Sequence, residues 1–190
     1  LEGVDSNSHR ERSIGDTMVF AKRKEPACVV LTPRSPEETE QIARAFAPLL
    51  RGGDYVSLIG DLGAGKTFFV RSLARALGVT EHVASPTFVL QKVYSTGPEA
   101  PVRRLLHYDL YRLQDPEELG DIGFDDCPAD TVVLAEWGDR FPEAFPDEAI
   151  RITLEHAGEE SRRVTVIFPD GERAERFRQS PMLDSTKESG

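Results

Sequence analysis

Gly60-Asp61-Leu62-Gly63-Ala64-Gly65-Lys66-Thr67 reads G-x-x-x-x-G-K-T, and the apolar run Tyr55-Val56-Ser57-Leu58-Ile59 leads directly into it. The chemistry this spacing allows is phosphate binding. Glycines let the backbone curl with its N–H groups turned inward, and a helix opening at the lysine adds partial positive charge. Lys66 is placed to reach the β- and γ-phosphates of a nucleoside triphosphate, and the Thr67 hydroxyl to hold Mg²⁺. The binding residues predicted from this segment run Gly60, Asp61, Leu62, Gly63, Ala64, Gly65, Lys66, Thr67 and on to Phe68.

Hydrolysis needs an acid at the end of a neighbouring strand as well. Two compete. Glu136 ends Thr131-Val132-Val133-Leu134-Ala135, and Asp109 ends the weaker run Leu105-Leu106-His107-Tyr108. Periodicity favours Glu136 for the metal role, leaving Asp109 as the alternative. About twenty residues past Lys66, Ser85-Pro86-Thr87-Phe88 forms a proline-fixed loop. The hydroxyls of Ser85 and Thr87 are in reach of a metal or terminal phosphate in such an arrangement. Trp137 is the single tryptophan and follows Glu136; it fits packing beside a nucleotide or plain burial equally. His107 reads as a structural histidine, because no second His or Cys lies at metal-ligand spacing. Arg162 and Arg163 read as solvated side chains at a hairpin.

The elements that must position these groups alternate along the chain. Cys28-Val29-Val30-Leu31 reads as a short strand. Ser35-Pro36-Glu37-Glu38 then opens a helix with Ser as N-cap, Pro at the first position and Glu in the first turn. Its apolar face is Ile42, Phe46 and Leu49. The helix after the glycine-rich turn is expected to bury Phe69, Leu73, Ala76 and Leu77, to expose Arg71 and Arg75, and to stop at Gly78. Phe88-Val89-Leu90 and Val102 to Leu106 read as strands, and Asp115-Pro116-Glu117-Glu118 as another helix start. Thr131 to Ala135 has the composition of a strand covered on both faces. Ala149 to Leu154 and Arg163 to Phe168 alternate around Ala157-Gly158-Glu159-Glu160, as an antiparallel hairpin at a sheet edge does. The sum is an α/β fold of the P-loop NTPase type: three layers, a mixed, mainly parallel sheet and an antiparallel edge hairpin.

The 190 residues, 39% of them apolar, suffice for one domain with a real core. Residues 1–26 read as a flexible leader, 27–179 as the P-loop domain and 180–190 as a flexible tail. The net charge of -10, from 33 acidic and 23 basic residues, argues against a general polyanion-binding surface. A basic cluster at Lys22-Arg23-Lys24 reads as solvated terminus. Cys28 and Cys127 have neither C-x-x-C nor metal spacing, as reduced thiols of a cytosolic protein do not need them. No run approaches the ~18–20 apolar residues of a membrane span, and no signal-like pattern opens the sequence.

Four segments occur in a telling order: the glycine-rich loop, Ser85-Pro86-Thr87-Phe88, His107-Tyr108-Asp109-Leu110-Tyr111-Arg112-Leu113, and Glu136-Trp137. Over about Leu31 to Phe168 the chain resembles the bacterial TsaE (YjeE) family, the ATPase of tRNA threonylcarbamoyladenosine synthesis. The resemblance implies a cytoplasmic, Mg²⁺-dependent ATPase working with the partner proteins TsaB and TsaD, and linked to tRNA indirectly through that complex. Those partners transfer a threonylcarbamoyl group to N6 of the adenosine beside the anticodon, in tRNAs reading codons that begin with A. Carried over by motif, Gly63 to Thr67 bind phosphates, Thr67 and Glu136 hold Mg²⁺, Asp109 is an acid of hydrolysis, and Ser85 to Phe88 form a first switch. Lys66, Asp109 and Glu136 are then the catalytic set, and Trp137 gains a place by the active centre. The chain departs from the pattern at Phe68, where many members carry a second threonine. It departs again at Gly138, where many place a proline.

Two rival functions make demands that the sequence does not meet. A small-molecule kinase calls for an arginine-rich lid, and no basic cluster of that kind follows the Glu136 strand. A GTP-type switch calls for an N-K-x-D segment, which the sequence lacks.

Overall fold

A computed structural model describes residues 25–184. The Lys22-Arg23-Lys24 cluster, most of the expected leader and the last six residues of the tail lie outside them. Within this range the chain alternates strands β1 (Ala27–Leu31), β2 (Tyr55–Ile59), β3 (Gln91–Ser95), β4 (Arg104–Asp109), β5 (Thr131–Glu136), β6 (Ile150–His156) and β7 (Arg162–Phe168) with helices α1 (Pro36–Phe46), α2 (Lys66–Ala76), α3 (Glu117–Asp121) and α4 (Gly171–Arg178).

The strands form one sheet in the order β1-β7-β6-β2-β5-β4-β3. Parallel pairing is confined to its centre, where β2 lies between β5 and β6 and β4 adds beyond β5. The outer pairs β1/β7, β6/β7 and β3/β4 are antiparallel. The sheet is therefore mixed, with its parallel part around the strand that leads into the glycine-rich loop. The β6–β7 hairpin is present, but it is not the edge: β1 pairs outside β7, with Ala27 opposite Phe168. Sequence spacing gives the hairpin, and only the long-range pairing of the first strand reveals that it is flanked.

Each face of the sheet has its own apolar cluster. On one, α1, α2 and α4 cover Val56, Leu58, Leu134 and Ile152 through Phe46, Phe69, Leu73 and Phe177. On the other, Leu119 of α3 and Phe124, Phe141 and Phe145 cover Tyr108, Val133 and Ala135. All six residues of β5 are buried, as its composition predicts. Ser35 caps α1 by accepting from the Glu38 N–H at 3.3 Å.

Several expectations need correction. In α2 Phe69, Leu73 and Leu77 are buried as expected, with Val70 and Ala74 beside them, while Ala76 is exposed. Phe88-Val89-Leu90 is not a strand. The Val89 and Leu90 N–H groups donate back to Pro86 O at 2.9 and 2.6 Å, Leu90 turns left-handed at φ 65°, and β3 starts only at Gln91. The second strand begins at Arg104, two residues later than expected. Helix α4 is an element the sequence pattern does not signal; Asp170 caps it by accepting from the Arg173 N–H at 2.8 Å. Beyond it, Pro181–Leu183 forms a 3₁₀ turn that buries Leu183 in the core, so this part of the expected tail is anchored.

Candidate functional site

The loop after β2 has the backbone that its glycines permit. Gly60, Gly63 and Gly65 sit at φ 147°, 80° and 108°, where side chains are disfavoured. A Cβ at Gly60 would lie 2.3 Å from the Leu154 carbonyl oxygen of β6, so the loop passes directly against the neighbouring strand. A Cβ at Gly63 would meet nothing nearer than His156 Nε2 at 4.0 Å. Gly65 is the N-cap of α2, and no side chain caps the first turn of that helix. Its leading N–H groups are thus left to an anion.

Lys66 opens α2 with its side chain folded into the loop. Its ammonium donates to the Gly60 carbonyl and to Asp61 O at 3.0 Å, and lies 3.5 Å above the Trp137 ring. Burial pushes its pKa below the usual lysine range, against the opposing pull of Glu136, Asp139, Asp109 and Asp61. Thr67 Oγ1 reaches Glu136, 2.9 Å from Oε1 and 2.7 Å from Oε2. Glu136 is only 3% exposed, and its Oε1 also lies 2.8 Å from His107 Nε2.

Sheet register brings the second acid alongside, since Asp109 pairs with Glu136 across β4 and β5. Asp109 Oδ2 accepts from the Ser85 and Thr87 hydroxyls at 2.5 and 2.7 Å, while Oδ1 accepts from the Tyr111 N–H at 3.0 Å. The two hydroxyls are themselves 2.6 Å apart. Asp109 thereby ties the proline-fixed loop to the sheet, and this anchoring keeps Thr87-Phe88 out of β3. Trp137 takes a left-handed φ of 63° and packs against Tyr111, the two rings tilted by 42° with centroids 4.9 Å apart.

These groups share one cleft of about 370 Å³, walled by Leu62, Gly63, Gly65, Lys66, Thr67, Phe68, Ser85, Thr87, Asp109, Tyr111, Glu136 and Trp137. Gly60, Asp61 and Ala64 of the predicted loop do not line it; Gly60 and Asp61 border a neighbouring pocket with Asp139 and His156. Ala64 is buried, and its carbonyl accepts from Arg162 Nε at 3.2 Å. Arg162 is therefore not a free solvated side chain, as expected from sequence, but a brace on the loop. No local signal marks this contact, which spans 98 residues of sequence. Tyr111 was also missed as a wall of the cleft, although it lies two residues from Asp109.

The donor set suits a triphosphate with a hard cation. Mg²⁺ takes oxygen ligands and is bound through one or two protein groups plus phosphates. Thr67 and Glu136 offer a hydroxyl and a carboxylate that already converge. Among the described residues no group of three or more His, Cys, Asp or Glu forms a metal site by itself. A cation at this position would draw its remaining ligands from phosphate and water.

The family model described as "Threonylcarbamoyl adenosine biosynthesis protein TsaE" matches residues 33–164. The chain belongs to the TsaE family. A Bacillus subtilis (strain 168) member, named tRNA threonylcarbamoyladenosine biosynthesis protein TsaE, is 41% identical over 132 residues, covering 69% of this chain and 80% of that protein. A Rickettsia felis protein of the same name is 36% identical over 160 residues, covering 83% and 91%. Among solved structures, Bacillus subtilis YdiB matches with a TM-score of 0.63 at 30% identity, covering 81% of this chain and 94% of that one. The matched span holds the whole TsaE cleft, from the glycine-rich loop to Trp137. No helix among the described residues is long and apolar enough to cross a membrane.

Proposed function

We propose that the cleft binds ATP with Mg²⁺ and hydrolyses it in support of t6A synthesis, the transfer of a threonylcarbamoyl group to N6 of the adenosine beside the anticodon. The reading extends to TsaB and TsaD as partners, to tRNA reached through them, and to the cytoplasm as the place of action. One observation carries it: the Thr67 hydroxyl meets the Glu136 carboxylate at 2.7 Å, at the mouth of a glycine loop whose helix has no side-chain cap. Membership of a family named for threonylcarbamoyl adenosine biosynthesis supplies the pathway.

Catalysis in this reading is positioning and charge neutralisation. The uncapped N–H groups of α2 and the Lys66 ammonium receive phosphate oxygens. Thr67 and Glu136 hold Mg²⁺, which when bound neutralises charge on those oxygens. Asp109 governs the switch: while its Oδ2 accepts from Ser85 and Thr87, neither hydroxyl is available to a terminal phosphate. The isolated chain is thus set for slow turnover, with the partners releasing those hydroxyls toward the nucleotide. Leu62 and Phe88, 86% and 84% exposed on the cleft wall and just beyond Thr87, support docking of a partner there.

Reconstitution of tRNA modification tests the proposal. Omitting this chain should abolish multiple turnover, and adding TsaB with TsaD should raise its ATPase rate. Unchanged modification on omission, or a rate indifferent to the partners, refutes it. Titration with ATP and with GTP fixes the nucleotide.

A further inference from the structure

The register that sets Asp109 opposite Glu136 places His107 two residues back on the same face of β4, diagonal to Glu136. Its ring is fully buried, and Nε2 lies 2.8 Å from Glu136 Oε1. A carboxylate only accepts, so the proton of this bond sits on Nε2. Nδ1 is buried with no hydrogen-bond partner, and the ring centroid lies 6.5 Å from that of Tyr94. One ring nitrogen is therefore committed to Glu136, and the other serves nothing else within reach.

Thr67 and His107 divide the carboxylate between them. Oε1 takes the histidine and the longer threonine contact, while Oε2 takes only Thr67, at 2.7 Å. We infer that His107 is a positioning residue, whose Nε2–H fixes the rotation of the Glu136 carboxylate so that Oε2 is the oxygen offered with Thr67 to a divalent cation. The inference rests on the cation reading given under "Proposed function". Groups that orient a metal-binding side chain from behind typically change metal affinity or activity by about 10–100-fold when removed. His107 touches neither nucleotide nor cation in this role and acts only through Glu136.

The test is calorimetric titration of the full chain with ADP, with and without Mg²⁺. His107→Phe keeps the ring volume and removes the donor. It should bind ADP alone as wild type does, and lose at least about tenfold of the affinity that Mg²⁺ adds. His107→Gln, whose amide N–H reaches the Nε2 position, should recover that increment, and His107→Asn, which is too short, should not. A His107→Phe chain with the full Mg²⁺ increment overturns the inference, as does a loss that Gln fails to recover better than Asn. If the Phe variant does not fold, the Gln–Asn pair makes the same comparison. Nitrogen NMR of the metal-free wild type gives an independent readout: the ring should be the Nε2–H tautomer, and an Nδ1–H tautomer overturns the inference without any ligand. Wild-type chain binding ADP equally with and without Mg²⁺ would instead refute the cation reading, and leave the histidine with nothing to position.

Discussion

Alanine at Gly60 and at Gly63 should fail in opposite ways, although both are glycines of one loop. At Gly60, φ 147° and the 2.3 Å approach of a Cβ to Leu154 O act together. That oxygen belongs to the backbone of β6, which is held between β2 and β7, so it cannot yield as a side-chain tip would. Left-handed strain costs about 1–2 kcal/mol, and forcing extra atoms into a filled site adds about 1–3 kcal/mol. Gly60→Ala should therefore lose about 2–5 kcal/mol of stability. Gly63 at φ 80° has open space about its missing Cβ, leaving only the strain, about 1–2 kcal/mol. Its new methyl would stand in the cleft wall, where a phosphate needs close backbone approach, and ADP affinity should drop at least about tenfold, or 1.4 kcal/mol. Urea denaturation gives the first quantity and ADP calorimetry the second. Equal destabilisation by the two substitutions, or a Gly63→Ala chain that binds ADP like wild type, would refute the division of the loop into a packed root and a binding tip.

Lys66→Ala should abolish ADP binding measured by calorimetry while leaving the melting temperature within a few degrees of wild type, since the ammonium rests on loop carbonyls. Glu136→Ala should cut partner-stimulated ATPase turnover by roughly 10² or more, while ADP binding without Mg²⁺ survives. Arg173 donates to Asp54 at 2.7 and 2.9 Å and to Asp170 at 2.9 Å, all poorly exposed. Arg173→Met leaves Asp54 and Asp170 with only backbone N–H donors and the Arg51 ion pair at 3.9 Å, and should cost up to about 3–5 kcal/mol in urea melts. Burial raises the Asp170 carboxyl, but the Arg173 backbone N–H and guanidinium outweigh it and hold the pKa below its ordinary 3.8. A carboxyl lowered on folding stabilises above its unfolded value and ceases to as acid titrates the folded form. Melts below about pH 4 should show wild type losing more stability than Asp170→Asn; parallel acid profiles would contradict this.

The parts of the site that lie in one stretch of chain were legible, because local rules govern them. Glycine spacing gives the loop, Ser35 gives the start of α1, and an apolar run closing on Glu136 gives a buried strand with an acid at its tip. What depended on pairing between distant strands was not. Nothing near His107 says that it reaches Glu136; alternation gives its face, and only the β4–β5 register gives its neighbour. Phe88-Val89-Leu90 misleads for a related reason. Its β-favouring residues are overruled by Asp109, which holds the hydroxyls on either side of Pro86 and leaves Phe88 and Val89 exposed. Arg162 likewise reads as surface until the loop carbonyl it braces is seen.

Pairing of β1 with β7 joins Ala27 to Phe168, nearly the whole length of the domain apart. During synthesis the first strand must wait, unpartnered, until the last has left the ribosome. The carbonyl of Leu154 that backs Gly60 arrives late as well. A nascent chain stopped just past Trp137 would own every side chain of the cleft but not the strand that supports it, so phosphate binding should switch on only once β6 has emerged and paired with β2.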